Sequence, residues 1–273
     1  MIPTLAQVCT LNAPFELDVE EYAAGQCRSI EIWLGKLETY LQSHSVDDVR
    51  NLLAQHSVQA PVASFQGGLL DSQGEARRVS WEHFEKRLAL LQQLNIQTLV
   101  VAGDISTAST QQDLDRIQMS LRQAAEAAER HGVRIALEFQ SSARIPNNLQ
   151  TAASMVADVG HPALGLCFDL YHFYIGPSKL EDLGYLSAEN LFHVQLCDLA
   201  GVPRELATDG DRVLPGDGDF LIEPIVKHLQ EIKYAGPVSI ELMNPQIWQV
   251  SPRSFGEIAM TALRKVLGQA SME

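Results

Sequence analysis

Eight short, largely apolar runs alternate with helical patterns along the chain, mostly about 30 residues apart, and this alternation limits the fold more than any other feature. The runs are Leu5 to Cys9, Ser29 to Trp33, Val58 to Phe65, Thr98 to Ala102, Ile135 to Phe139, Leu164 to Phe168, Leu191 to Leu196 and Val238 to Ile240. Between them, Phe84, Leu88, Leu91 and Leu94 recur at helical spacing. The alanine-rich stretch Asp113 to Arg130 is a strong helix former, Leu149 to Val159 and Ile222 to Ile232 read as helices, and Ser251-Pro252 opens a last helix. Continuous apolar strands that alternate with helices belong to a parallel sheet covered on both faces. The expected fold is therefore α/β: a single (β/α)8 barrel forming one domain over residues 1–273. No GxGxxG follows the first run, so a dinucleotide-binding fold has no local support.

Composition enters mainly through what it excludes. Hydrophobic residues make up 46% of the chain, enough for a large core, yet no run approaches the roughly 20 apolar residues that span a bilayer. The start, Met1-Ile2-Pro3-Thr4, lacks the basic and apolar regions of a secretion signal, which sets a cytoplasmic expectation. Cys9, Cys27, Cys167 and Cys197 show no CxxC spacing, and three of them sit in apolar runs, as suits free thiols in a reducing compartment. A formal charge of −14 repels phosphate backbones, so the expected partner is a small molecule and not nucleic acid. A homodimer through the barrel helices stays open.

In a barrel the chemistry sits at the carboxyl ends of the strands. There the runs end alike: Leu137 is followed by Glu138, Phe168 by Asp169 and Ile240 by Glu241, while Gln195 lies near the end of the seventh run. Taken singly, each reads as a helix N-cap or a solvated loop residue. Gathered on strands five to eight without a cation, three carboxylates repel, and a divalent ion removes that penalty. The expected ligands are Glu138, Asp169, Gln195 and Glu241, a hard all-oxygen set that favours Mn2+ or Mg2+ over Zn2+. His193 is expected on the opposite side of its strand from Gln195; a register off by one would make it the ligand, with Zn2+ or Co2+ then competitive.

His172 lies three residues beyond Asp169, and one helical turn would return it over the strand end. There it could bind a substrate hydroxyl, carry a proton or ligate a second metal; a satisfied loop histidine is the plainer alternative. The stretch Asp198 to Asp219 has the length of a lid or binding loop and carries Arg204 and Arg212, which could reach a substrate carboxylate or phosphate. Trp33 could offer an apolar face to a sugar ring or pack in the core. No glycine-rich phosphate cradle is visible.

Several motifs resemble the xylose isomerase-like barrel superfamily of sugar phosphate isomerases and epimerases. They are Ile30-Glu31-Ile32-Trp33, Leu137-Glu138, Phe168-Asp169-Leu170-Tyr171-His172, His193 through Asp198, Leu214-Pro215-Gly216-Asp217-Gly218 and Ile240-Glu241. The resemblance implies a metal held by Glu, Asp, His and Glu from strands five to eight. Glu138, Asp169 and Glu241 match, and Gln195 stands where histidine is usual, as in the 3-dehydroshikimate dehydratase branch. It also implies enolisation of a polyhydroxylated carbonyl compound, with Glu138 and Glu241 moving the α-proton and His172 a hydroxyl proton. Return of the proton to the opposite face gives epimerisation, return to the neighbouring carbon gives isomerisation, and loss of a β-hydroxyl gives dehydration. A barrel that binds a polyol without turnover is a further alternative. Related apurinic-site endonucleases use extra histidines where this chain has Gln66 and Asp104.

Overall fold

The first strand starts earlier than its apolar run suggests. In the computed structural model, which describes residues 1–108 and 110–270, β1 covers Ile2–Ala6 and Gln7–Thr10 is a buried 3-10 turn. Residues 109 and 271–273 of the expected domain lie outside the described residues. Pairing decides where β1 ends: Leu5 aligns with Ile30 on one side and Ile240 on the other, while Val8 and Cys9 are buried in the turn. An apolar run reports burial, not backbone shape.

The chain continues through α1 (Phe15–Ala24), β2 (Ser29–Trp33), α2 (Leu34–Tyr40), α3 (Val46–Gln55), β3 (Gln59–Gln66), α4 (Gly74–Leu94), β4 (Thr98–Gly103) and α5 (Gln111–Arg130). Then come β5 (Arg134–Phe139), α6 (Leu149–Val159), β6 (Leu164–Asp169), α7 (Leu170–Ile175) and β7 (Leu191–Leu196). Two short strands, β8 (Asp198–Leu199) and β9 (Arg212–Val213), precede α8 (Ile222–Glu231), β10 (Pro237–Ile240) and α9 (Pro252–Val266). Eight strands close into a parallel barrel in the order β1-β10-β7-β6-β5-β4-β3-β2, which is the (β/α)8 architecture. Local signals set the helix starts: Thr110 and Asp113 form a reciprocal capping box on α5, Asn148 caps α6, and Ser251 caps α9 with Pro252 in its first turn. Among the described residues no helix is long and apolar enough to cross a membrane.

Residue contacts group the chain into two compact units, Met1–Val62 with Val194–Glu273, and Ala63–His193. Within the second unit, Glu138 aligns with Ala102 on β4 and Cys167 on β6. Side chains alternate along a strand, so Phe139 and Phe168 point away from Glu138 and Asp169. Their rings meet edge-on with centroids 6.4 Å apart, and Phe173 of α7 stacks a tilted ring 5.1 Å from Phe168. This aromatic cluster locks the ends of β5 and β6 and the start of α7 to one another.

The first unit holds a buried ion pair that nothing in the sequence spacing announces. Lys36 Nζ of α2 donates to Asp18 Oδ2 of α1 at 2.5 Å and to the Thr10 carbonyl at 2.6 Å, and the Thr10 hydroxyl donates to Asp18 Oδ1 at 2.7 Å. Burial pushes the Asp18 carboxyl up from 3.8 to about 7, although Lys36 and Thr10 pull it back down. Between those two values the folded chain keeps a proton that the unfolded chain has lost. The contribution of Asp18 to stability is therefore full below pH 3.8 and declines by about 1.4 kcal/mol per pH unit as pH rises to about 7. Asn at position 18 cannot titrate. Urea unfolding at pH 5 and pH 7 should show the wild-type chain losing stability relative to Asp18→Asn over that interval, with a constant difference above it.

Candidate metal centre

Two groups of buried polar side chains lie at the carboxyl ends of barrel strands, one in each unit. In the second unit Glu138 comes from β5, Asp169 ends β6, and His172 sits in the first turn of α7. Asp169 Oδ1 accepts the backbone N–H of His172 at 3.0 Å, so the carboxylate caps α7 and fixes where the imidazole returns. The helix-cap and site readings of Asp169 thus coincide. All three residues are buried, and each offers a ligand atom within 4.8 Å of the others. Carboxylates this close repel unless a cation or proton comes between them, and two oxygens with an imidazole nitrogen suit a divalent ion.

The histidine's hydrogen bonds bear on its role. His172 Nδ1 lies 3.1 Å from Ser141 Oγ and accepts the Ser141 backbone N–H at 3.4 Å. An Nδ1 that accepts leaves the neutral ring its proton on Nε2, which suits a proton carrier better than a metal ligand. Glu138 Oε2 in turn accepts Gln140 Nε2 at 3.1 Å.

The group in the first unit is denser. Gln195 Nε2 donates to Glu31 Oε1 at 2.9 Å and to Glu241 Oε1 at 3.0 Å. Arg212 Nη1 donates to Glu241 Oε2 at 3.0 Å, and its Nε and Nη2 hold Asp209 Oδ1 at 3.1 and 2.6 Å. The Ser239 hydroxyl bonds Glu31 Oε2. Strand register explains the gathering: Ser239 aligns with Thr4 and Gln195, and Ala6 with Glu31, so these positions share one face of the sheet. Glu241 lies just past β10, where its backbone N–H continues the ladder to the Leu196 carbonyl at 3.1 Å. The Cys9 thiol brackets it, donating to the Ile240 carbonyl at 3.3 Å and accepting the Leu242 N–H at 3.1 Å. Burial pushes that thiol well above its usual pKa, so it stays an S–H donor.

One expectation needs correcting. His193 and Gln195 are two residues apart, and period-two alternation puts such residues on the same face of a strand, not on opposite faces. Both are buried. They differ in depth, His193 lying about 6.6 Å further back along β7.

The predicted substrate contacts separate. Arg212 is wholly buried against Glu241, whereas Arg204 is an exposed loop residue whose Nε lies 3.4 Å from Glu205 Oε1. Trp33 is half-buried and lines a groove of about 460 Å³ with Phe15, Lys36, Tyr40 and His44. The loop that carries Arg212 is folded onto Asp198, which accepts the backbone N–H groups of Leu199, Gly216 and Phe220 at 2.9 to 3.0 Å. A Cβ on Gly218 would stand 2.4 Å from Asp198 Oδ1 and 2.5 Å from the Leu199 carbonyl. Gly218→Ala should therefore destabilise the chain by about 1–3 kcal/mol, read as a lower urea midpoint at unchanged slope.

The residues that sequence reasoning left out of the site are Glu31, Ser239, Cys9 and Asp209. Glu31 carried a usable signal, an acidic side chain between Ile30 and Ile32 in an otherwise apolar strand. Cys9 and Ser239 carried none, because each acts through a partner more than 200 positions away.

A closed parallel barrel of eight strands with helices between them, and with buried polar side chains at the strand ends, places this chain among the (β/α)8 barrels. Within that class, the chain belongs to the xylose isomerase-like TIM barrel family, whose model matches residues 20–262. It is 27% identical over 223 residues to an inosose isomerase of Halalkalibacterium halodurans, covering 80% of this chain and 78% of that one. It is 26% identical over 241 residues to a 3-dehydroshikimate dehydratase of Pseudomonas aeruginosa, covering 86% of this chain but 37% of that longer protein. Among solved structures, that of the IolI protein with a bound zinc atom superposes over the whole of both chains with a TM-score of 0.90 at 24% identity, a likeness of fold.

Proposed function

We propose that this chain is a divalent-metal-dependent isomerase of a polyhydroxylated ketone of the inosose kind. The observation that carries the reading is the buried cluster of Glu138, Asp169 and His172, which brings two carboxylates for an ion and an imidazole for a proton within 4.8 Å of one another. The proposed ligands are Glu138, Asp169, Gln195 and Glu241. Their hard oxygens favour Mn2+ or Mg2+; zinc is the ion named for the IolI protein. What such an ion supplies is Lewis acidity toward a carbonyl oxygen, which weakens the adjacent C–H bond.

The chain's own residues move the protons. One of Glu138 and Glu241 takes the proton from the carbon beside the carbonyl, and a proton returns to the former carbonyl carbon. His172, with its proton on Nε2, gives that proton to the carbonyl oxygen and recovers one from the neighbouring hydroxyl. One C–H bond breaks and one forms, and no co-reactant is required. Arg212 stays paired with Glu241 and offsets the repulsion between Glu241 and Glu31, both of which approach the Gln195 amide. Names among the relatives support isomerisation first. Dehydration is the second reading: relatives include 3-dehydroshikimate dehydratases, and the same Nε2 proton could go to a departing hydroxyl.

The test is deuterium uptake. Protein loaded with Mn2+ in D2O should incorporate deuterium beside the carbonyl of at least one compound in a panel of inososes, ketoses and dehydroshikimate, followed by NMR. The product distinguishes isomer from dehydrated compound, and no uptake across the panel defeats the proposal. Dialysis against a chelator should lower the exchange to background, and Mn2+ should restore it without any change in circular dichroism.

A further inference from the structure

We infer that Glu31 is a positioning residue that sets which end of the Gln195 side chain is turned toward the metal; the inference rests on the metal reading above. A glutamine amide has two ends of similar shape and opposite chemistry, and only the oxygen can ligate a cation. Gln195 directs its nitrogen to Glu31 Oε1 at 2.9 Å and to Glu241 Oε1 at 3.0 Å. Both of those carboxyl oxygens accept, so the N–H bonds of the amide are drawn to that side and Oε1 is turned away from it. Glu241 alone is a weak guide, because it is itself a proposed ligand and Arg212 holds its other oxygen. Glu31 is different. It is wholly buried, and the Ser239 hydroxyl pins its second oxygen, Oε2. The register that aligns Ser239 with Gln195 and Ala6 with Glu31 builds this arrangement into the sheet itself.

The arrangement also accounts for an acidic side chain set between Ile30 and Ile32 in an apolar strand. Glu31 selects the amide orientation from behind the ligand, as carboxylates do for metal-bound histidines. Replacing its carboxyl by an amide of the same shape lets position 31 donate as well as accept, and the Gln195 amide is then free to reverse.

The test is a Mn2+ affinity cycle read by competition with a fluorescent chelator, with no turnover involved. Glu31→Gln should weaken Mn2+ binding by about 10–100-fold while the thermal transition remains cooperative. In a Gln195→Glu background, where both ends of residue 195 are oxygen, the same Glu31→Gln change should cost no affinity. If Glu31→Gln does not fold, Ser239→Ala is read in the same two backgrounds, with a smaller loss in the same direction expected only beside Gln195. An unchanged Mn2+ affinity in the Gln195 background, or an equal loss in both backgrounds, overturns the inference while leaving the metal reading intact. Failure of the wild-type chain to bind Mn2+ at all overturns the metal reading and this inference together.

Discussion

Glu138→Gln should lose about 1,000-fold or more in α-proton exchange and still melt within about 4 °C of the wild-type chain. Glutamine keeps the volume of the side chain and one oxygen for the Gln140 amide, now 3.1 Å from Glu138 Oε2, so packing at the end of β5 has little reason to change. It loses the ability to take a proton and most of its value as a ligand. Glu241→Gln should abolish exchange to a similar degree, but at a stability cost of about 2 kcal/mol. The difference lies in Arg212, which is buried and gives Nη1 to Glu241. Neutralising its partner leaves the guanidinium paired with Asp209, 2.6 Å away, so the loss stops short of that for an orphaned buried charge. Exchange rates by NMR and melting curves on both variants separate these effects. A Glu138→Gln protein that still exchanges at the wild-type rate contradicts the role given to that carboxylate.

Lys36→Met should destabilise the fold by about 3–5 kcal/mol near pH 8, and adding Asp18→Asn should recover most of that loss. Asp18 is fully buried, and Lys36 Nζ at 2.5 Å is the cation that allows it to ionise there. With methionine at 36, Asp18 must either remain charged without that partner or take a proton from solvent, and the second option becomes easier as pH falls. The penalty should shrink between pH 8 and pH 5, as measured by urea midpoints. The double variant replaces the pair by groups that need no counter-charge, leaving Thr10 a neutral hydrogen-bond acceptor in place of the Asp18 oxygen 2.7 Å away. Equal destabilisation by the single and double variants would mean that the pair matters through shape alone.

Sequence reading placed best the elements whose first residue closely follows a turn or a cap. Ser29–Trp33 and Leu191–Leu196 fall where their runs do, and so does the helix Leu149–Val159, bounded by its Asn148 cap and by Gly160 at its end. The first strand was misplaced because Val8 and Cys9 are as buried in a 3-10 turn as they would be in a strand. The ribbon of β8 and β9 was not legible at all: two-residue strands carry no period, and this one depends on Asp198 collecting N–H groups from residues up to 22 positions away. At the candidate site, the strand-end acids could be read from position alone, and the return of His172 over Asp169 follows from one helical turn. What stayed hidden were pairings between distant elements. Glu31 and Gln195 are 164 residues apart, and Asp18 and Lys36 lie on different helices, so no local pattern couples them.

The most direct measurement is anomalous diffraction at the manganese edge from crystals of the full chain grown with Mn2+ and no chelator. A single peak bonded to oxygens of Glu138, Asp169, Gln195 and Glu241 is the predicted result. A peak elsewhere, or none at saturating Mn2+, would contradict the claim that these strand-end side chains hold the ion.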